Sequence, residues 1–195
     1  MNWNYCFLDQ ITEEQYNNIY NSLSPSRLAH ISRFKKEEDL KRSLAGEFLI
    51  KKILTEDFGI EKPIISRIEK GQPIIENTDI FISISHSGDL AVAAADRKPI
   101  GIDAEKIKPR NLKLAEKICL PEEKEYIFSS EDNILNRFYE IWTGKEAYFK
   151  KTGKGFPDFK SVNVLNLDRY ILTVKDYLIQ IIKRIFRNQT KGSFL

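Results

Sequence analysis

The stretch Ile80-Phe81-Ile82-Ser83-Ile84-Ser85-His86-Ser87-Gly88-Asp89-Leu90-Ala91-Val92-Ala93-Ala94-Ala95 decides the fold class. Ile80 to Ser85 alternates apolar and polar residues in part, as a strand with one buried face does. Ser87-Gly88-Asp89 turns the chain, and Leu90 to Ala95 follows as an unbroken apolar strand. Working outward, Arg97-Lys98-Pro99 makes another turn. Ile100-Gly101-Ile102-Asp103-Ala104-Glu105 then alternates as a third strand, so the three are expected to form an antiparallel meander. Upstream, Leu40, Leu44, Phe48 and Ile53 recur at helical spacing and predict an amphipathic helix over Glu37 to Leu54. Downstream, helices are expected around Leu112 to Lys117, from Pro121 onward, and from about Asn133 to Lys151, the last ended by Gly153-Lys154-Gly155. Ser161-Val162-Asn163-Val164-Leu165 reads as β-type again. Helices mixed with antiparallel strands in both halves make this an α+β chain, with a seam near Pro99 to Gly101.

At 195 residues and 42% hydrophobic, the chain can bury a proper core. Charged residues make up 30% and nearly cancel at +3, which excludes a disordered or strongly nucleic-acid-coating chain. The mildly basic balance suits an anionic substrate or an acidic protein partner. The start of the chain lacks a basic segment followed by an apolar one, so a cytoplasmic location is expected. Cys6 and Cys119 lie far apart, in no metal-ligand spacing, and are expected to be buried free thiols. The apolar run Tyr177 to Phe186 is interrupted by Gln180, Lys183 and Arg184 and is too short to span a bilayer.

Three segments carry candidate chemistry. In the strand from Ile100 to Glu105, a period of two places Asp103 and Glu105 on one face with Gly101. Two carboxylates beside a glycine that leaves room for a bulky ligand suit a magnesium ion shared with phosphates, and they equally suit a solvated strand face. In Trp142-Thr143-Gly144-Lys145-Glu146-Ala147-Tyr148-Phe149-Lys150, helical spacing aligns Trp142, Glu146 and Lys150 in one stripe. That stripe is either an acid and base for phosphoryl-type transfer or an ordinary Glu-to-Lys helix pair. Ser85-His86-Ser87 opens a turn where His86 and nearby amides can meet an anion. A serine hydrolase is not supported, since there is no Gly-x-Ser-x-Gly elbow and His30 has no acidic orienter.

Taken in order, Phe34 with Asp39 and Arg42, Gly71-Gln72-Pro73, Ser85-His86-Ser87, Gly-x-Asp-x-Glu from Gly101 to Glu105, and Trp-x-x-Lys-Glu-x-x-x-Lys from Trp142 to Lys150 resemble the 4′-phosphopantetheinyl transferases of the surfactin-synthetase-activating type. The resemblance spans about residues 25 to 165. It implies two pseudo-twofold-related α+β lobes, residues 1–100 and 101–195, each a small antiparallel sheet packed on a long helix, with coenzyme A in the cleft between them. It implies Mg²⁺ on Asp103, Glu105 and Glu123, with Glu122 as a substitute for the third. It further implies that Glu146 takes the proton of a carrier-protein serine, that Lys150 neutralises the departing 3′,5′-ADP, and that Lys145 supports the phosphates. By the same resemblance, Arg42, Ser85 and His86 are expected to hold the nucleotide end, with Arg27 and His30 as additional contacts to its 3′-phosphate. The partners it implies are coenzyme A and an acyl or peptidyl carrier protein, with a monomeric enzyme that engages neither nucleic acid nor membrane.

Two departures stand out. Gln72 replaces the lysine usual between the glycine and proline, with Lys70 the nearest substitute, and the basic, apolar tail from Tyr177 to Leu195 does not match the family's closing strands. Two other readings stay open: a family member that binds coenzyme A or carrier without transfer, and a magnesium-dependent pyrophosphatase or nuclease built on Asp103, Glu105 and Glu123.

Overall fold

The computed structural model describes residues 1–67, 72–153 and 158–185. Strand β1 (Asn2–Phe7) leads into helices α1 (Glu13–Asn21), α2 (Pro25–Ile31) and α3 (Glu37–Phe58). A short ribbon, β2 (Ile65–Arg67) and β3 (Pro73–Ile75), precedes the hairpin β4 (Phe81–Ser87) and β5 (Leu90–Asp96), and β6 (Gly101–Lys106) follows. Helices α4 (Lys113–Ile118), α5 (Pro121–Phe128) and α6 (Ile134–Thr152) lead to the closing hairpin β7 (Leu167–Val174) and β8 (Tyr177–Ile185). The chain is thus α+β, with small antiparallel sheets packed against helices.

Helix α3 carries Glu37, Glu38 and Asp39 in its first turn, where carboxylates complement the helix dipole. It stops at Gly59, whose φ of +67° is the left-handed conformation of a helix C-cap. Its inner stripe of Leu49, Ile50, Ile53 and Leu54 packs on Ala91, Ala93 and Ala95 of β5. The opposite face of β5, Leu90, Val92 and Ala94, packs on Ile102 and Ala104 of β6 and Ile179 and Ile181 of β8. A strand covered on both faces has no use for alternation, which is why Leu90 to Ala95 is apolar throughout. The layers run α3, the first sheet (order β1-β5-β4), the second sheet (order β6-β8-β7), and α6.

The meander expectation is corrected here. β4 and β5 do pair as a hairpin, Phe81 opposite Asp96 through Ser87 opposite Leu90. The other edge of β5, however, is taken by β1, and β6 leaves for the second sheet, where it pairs with β8. Two further expectations are revised. Phe159–Ser161 and Val164–Asn166 are 3-10 turns rather than a strand, because the side chains of Asp158 and Asn163 accept from the amides of Lys160 and Leu165 and so favour local turns. Of the tail from Tyr177 to Leu195, expected to differ from closing strands, Tyr177–Ile185 is the central strand of the second sheet, and residues 186–195 lie outside the described residues. Gly153 ends α6 as expected, whereas Lys154 and Gly155 lie outside the described residues.

Gly101 has a different role from the one its position suggested. A Cβ there would lie 1.8 Å from the carbonyl oxygen of Ala147, so the missing side chain is filled by the backbone of α6 rather than by a ligand. Gly101→Ala is therefore expected to push α6 off β6, at a cost of about 3 kcal/mol, or roughly 6–12 °C in melting temperature. A thermal melt matching that of the unaltered protein would rule out this close approach.

Candidate active site

The site begins at the seam between β4 and β6. These strands do not share a backbone ladder, and the serines at every second position of β4 bridge the gap instead. The amide of Ile102 donates to Ser83 Oγ at 3.0 Å and that of Lys106 to Ser87 Oγ at 3.1 Å. Ser85 Oγ donates to Asp103 Oδ1 at 2.7 Å, and Ser87 Oγ to Glu105 Oε2 at 2.8 Å. Strand periodicity thus puts Ile102 and Ala104 into the core between the sheets and turns Asp103 and Glu105 toward α6.

Helix α6 crosses β6 directly and delivers its Trp142, Glu146 and Lys150 stripe to the same place. Trp142 Nε1 donates to Glu105 Oε1 at 3.0 Å, while its ring stacks on Phe159 and lies under the Arg110 guanidinium. Lys150 Nζ sits 2.7 Å from Asp103 Oδ1. Ile84, Ser85, His86, Asp103, Ala104, Glu105, Trp142, Glu146 and Lys150 line one open pocket of about 340 Å³. Burial and the neighbouring Asp103 carboxylate raise the pKa of Glu146 above the ordinary carboxylate range; Lys150 opposes the shift and Glu105 adds to it. Among the described residues, no three His, Cys, Asp or Glu side chains are already drawn together as a metal cage. Asp103 Oδ2 is nonetheless buried without a hydrogen-bond partner, and the Lys150 ammonium against Oδ1 shows that this carboxylate seats a cation.

At the rim, surrounding protein and then the charges of Lys150 and Arg42 hold the His86 imidazole below its usual pKa. Arg42 donates to the Gly88 carbonyl of the β4–β5 turn at 3.0 Å and pairs with Asp39 at 2.5 Å, so its head is anchored beside His86. The structure therefore brings Asp103, Glu105, Glu146, Lys150, Ser85 and His86 into one pocket, with Arg42 next to it.

Other candidates stand apart. Glu123 is fully buried on α5, where its carboxylate accepts from the amides of Leu120 and Val164 and pairs with Lys145 at 2.7 Å. Lys145 is equally buried, and its ammonium also donates to the carbonyls of Phe159 and Val162. The pairing of Glu123 with Asp103 and Glu105, and of Lys145 with phosphates, is corrected on this geometry: both are tied up in the interior of the second half, and Glu146 is the third carboxylate of the pocket. Glu122 is exposed on α5. Arg27 is 2% exposed and donates to Glu47 at 2.7 Å and Ser43 at 3.0 Å, so it braces α2 on α3 and does not line the pocket. His30 packs edge-on against Phe34, its pKa lowered by burial and by Arg67, Arg27 and Arg33. Lys70 lies outside the described residues. Gln72 lies against the end of α6, its amide 3.4 Å from the Lys150 carbonyl. Sequence reading missed Ser83 and Ser87 as partners of β6; their only signal is serine at alternate positions of a strand.

Two family models cover almost the whole chain: the 4′-phosphopantetheinyl transferase superfamily over residues 99–191, and the N-terminal part of a 4′-phosphopantetheinyl transferase over residues 10–98. A 4′-phosphopantetheinyl transferase of Bacillus subtilis is 34% identical over 159 residues, 80% of this chain and 68% of that protein. The chain belongs to the 4′-phosphopantetheinyl transferase superfamily. Within it, the transferase HetI of Nostoc is 32% identical over 167 residues, covering 80% of this chain and 70% of HetI. The transferase Sfp of Bacillus subtilis is also 32% identical, over 149 residues. Those residues are 74% of this chain and 66% of Sfp, so the chain spans just under two thirds of that relative's length. The two family models meet at residues 98 and 99, where β5 has ended and β6 begins the second sheet. No helix among the described residues is long and apolar enough to cross a membrane.

Proposed function

We propose that this chain moves the 4′-phosphopantetheine arm of coenzyme A onto a serine of an acyl or peptidyl carrier protein, releasing 3′,5′-ADP. The observation that carries the reading is the meeting, in one pocket, of the Asp103 and Glu105 strand with the Glu146 and Lys150 helix. Family membership supports it independently. The two halves, residues 1–100 and 101–195, act as lobes, and the cleft between them takes coenzyme A.

Mg²⁺ fits the donor set, which is all oxygen and includes the unpartnered Asp103 Oδ2; Asp103, Glu105 and Glu146 would hold it. When bound, the ion would offset charge on the pyrophosphate oxygens. The protein's own residues do the rest. Glu146, which lines the pocket beside Asp103 and Glu105, takes the proton of the carrier serine as its oxygen forms a bond to the phosphorus bearing the pantetheine arm. The bond from that phosphorus to the 3′,5′-ADP oxygen breaks, and the leaving group departs with the electron pair. Lys150 places a positive charge beside the departing phosphate, and the anchored Arg42 gives the rim beside His86 a basic character suited to the nucleotide phosphates. Intact-mass spectrometry of an apo carrier protein incubated with this chain, coenzyme A and Mg²⁺ is expected to show a gain of one phosphopantetheine. Coenzyme A binding with no mass gain on any apo carrier would replace transfer by a binding role.

A further inference from the structure

We infer that Ser87 is a positioning residue for the site, fixing the carboxylate of Glu105 from the opposite lobe; the inference rests on the transferase reading above. A serine hydroxyl has one proton to give and lone pairs to accept with. Here the Lys106 amide donates to Ser87 Oγ at 3.1 Å, and the hydroxyl proton is directed at Glu105 Oε2, 2.8 Å away. The other oxygen of Glu105 is held by Trp142 Nε1 at 3.0 Å. One carboxylate is thereby gripped from two sides, by β4 of the first sheet and by α6 behind the second. Among the described residues, Ser83 meets only a backbone amide of β6, and Ser85 only the Asp103 carboxylate. Ser87 alone engages both kinds of group, so it ties the direction of Glu105 to the spacing of the two lobes.

Glu105 is half-buried and has a long side chain; Trp142 holds its Oε1, and the Ser87 hydroxyl is what fixes Oε2, so without it the carboxylate can swing about the bond to Trp142. Groups that orient metal-binding carboxylates contribute strongly to metal affinity without touching the ion. Removing the hydroxyl also strips the Lys106 amide of its acceptor at the seam.

The test uses the full chain with Mn²⁺ as the probe, titrated in the presence of coenzyme A and followed by electron paramagnetic resonance, for the unaltered protein, Ser87→Ala, Ser87→Cys and Ser87→Thr. Ser87→Ala is expected to weaken Mn²⁺ binding about tenfold or more. Ser87→Thr, which keeps the hydroxyl, is expected to restore it. Ser87→Cys keeps the volume but donates poorly, should follow alanine, and carries the test if Ser87→Ala does not fold. Mn²⁺ affinity equal to that of the unaltered protein in folded Ala or Cys variants would overturn the assignment, as would a threonine variant as weak as alanine. Failure of the unaltered chain to bind Mn²⁺ would overturn the metal site itself and this inference with it. Transfer to a carrier, measured separately, tells failure of the transferase reading apart from failure of the Ser87 assignment.

Discussion

Glu123→Ala is expected to destabilise the fold by about 3–5 kcal/mol while leaving divalent-cation binding nearly unchanged. Its carboxylate satisfies the amides of Leu120 and Val164 and neutralises Lys145 in the interior, so truncation leaves an ammonium with two carbonyls and no counter-charge. Lys145→Met should cost a similar amount, because it strands the carboxylate instead. Replacing both together, Glu123→Leu with Lys145→Met, should recover a substantial part of the loss, since no unpaired charge then remains buried. Thermal and urea melts of the three variants, with Mn²⁺ titration of each folded one, decide the matter. A Glu123→Ala protein that melts normally but no longer binds the cation would return Glu123 to the metal site.

That result also bears on what a sequence can disclose. Asp103 and Glu105 were legible because a strand's period of two is a local rule, and the alternation around them puts both carboxylates on one face whatever the strand pairs with. The stripe of Trp142, Glu146 and Lys150 was legible for the same reason at helical spacing. Glu123 was not, because burial of a carboxylate against a lysine 22 positions later is a tertiary fact, and a first-turn glutamate looks the same whether it faces solvent, metal or ammonium. The central place of β5 was half legible. Its apolar run implies two covered faces, but the strand that takes its second edge, β1, comes from the far end of the half, while the nearest candidate, β6, is separated by only four residues.

The glycine of the Gly-x-Asp-x-Glu motif shows the same limit from another side. Its lack of a side chain is visible in the sequence, but what occupies the space is not, and here it is the Ala147 carbonyl of α6. That close approach is what carries Glu146 to the carboxylates of β6. Site geometry and helix packing are therefore one constraint, and a change at Gly101 should disturb stability and chemistry together. The serine-lined seam extends the constraint to the first sheet, because Ser85 and Ser87 link each carboxylate of β6 to β4.

Glu146→Gln provides the sharpest separation of structure from chemistry at this site. If Glu146 and Lys150 formed only a helix pair, the change would cost a few tenths of a kcal/mol in stability and leave turnover intact. The geometry argues otherwise, since the partner of Lys150 is Asp103, at 2.7 Å, while Glu146 lines the pocket with its proton affinity raised by burial and by Asp103. Glutamine keeps the shape but cannot accept the serine proton, so the single-turnover transfer rate is expected to fall by about a hundredfold or more, with the melting temperature nearly unchanged. Coenzyme A affinity should change less than the rate, since the proposed function gives the nucleotide end to the His86 and Arg42 rim. Lys150→Ala should also slow transfer, and it should leave Asp103 without its present counter-charge, so a modest loss of stability is expected there that Glu146→Gln does not share. Rapid-quench rates, coenzyme A titrations and melts on the two variants provide the comparison, and a folded Glu146→Gln protein with undiminished transfer would remove Glu146 from proton transfer altogether.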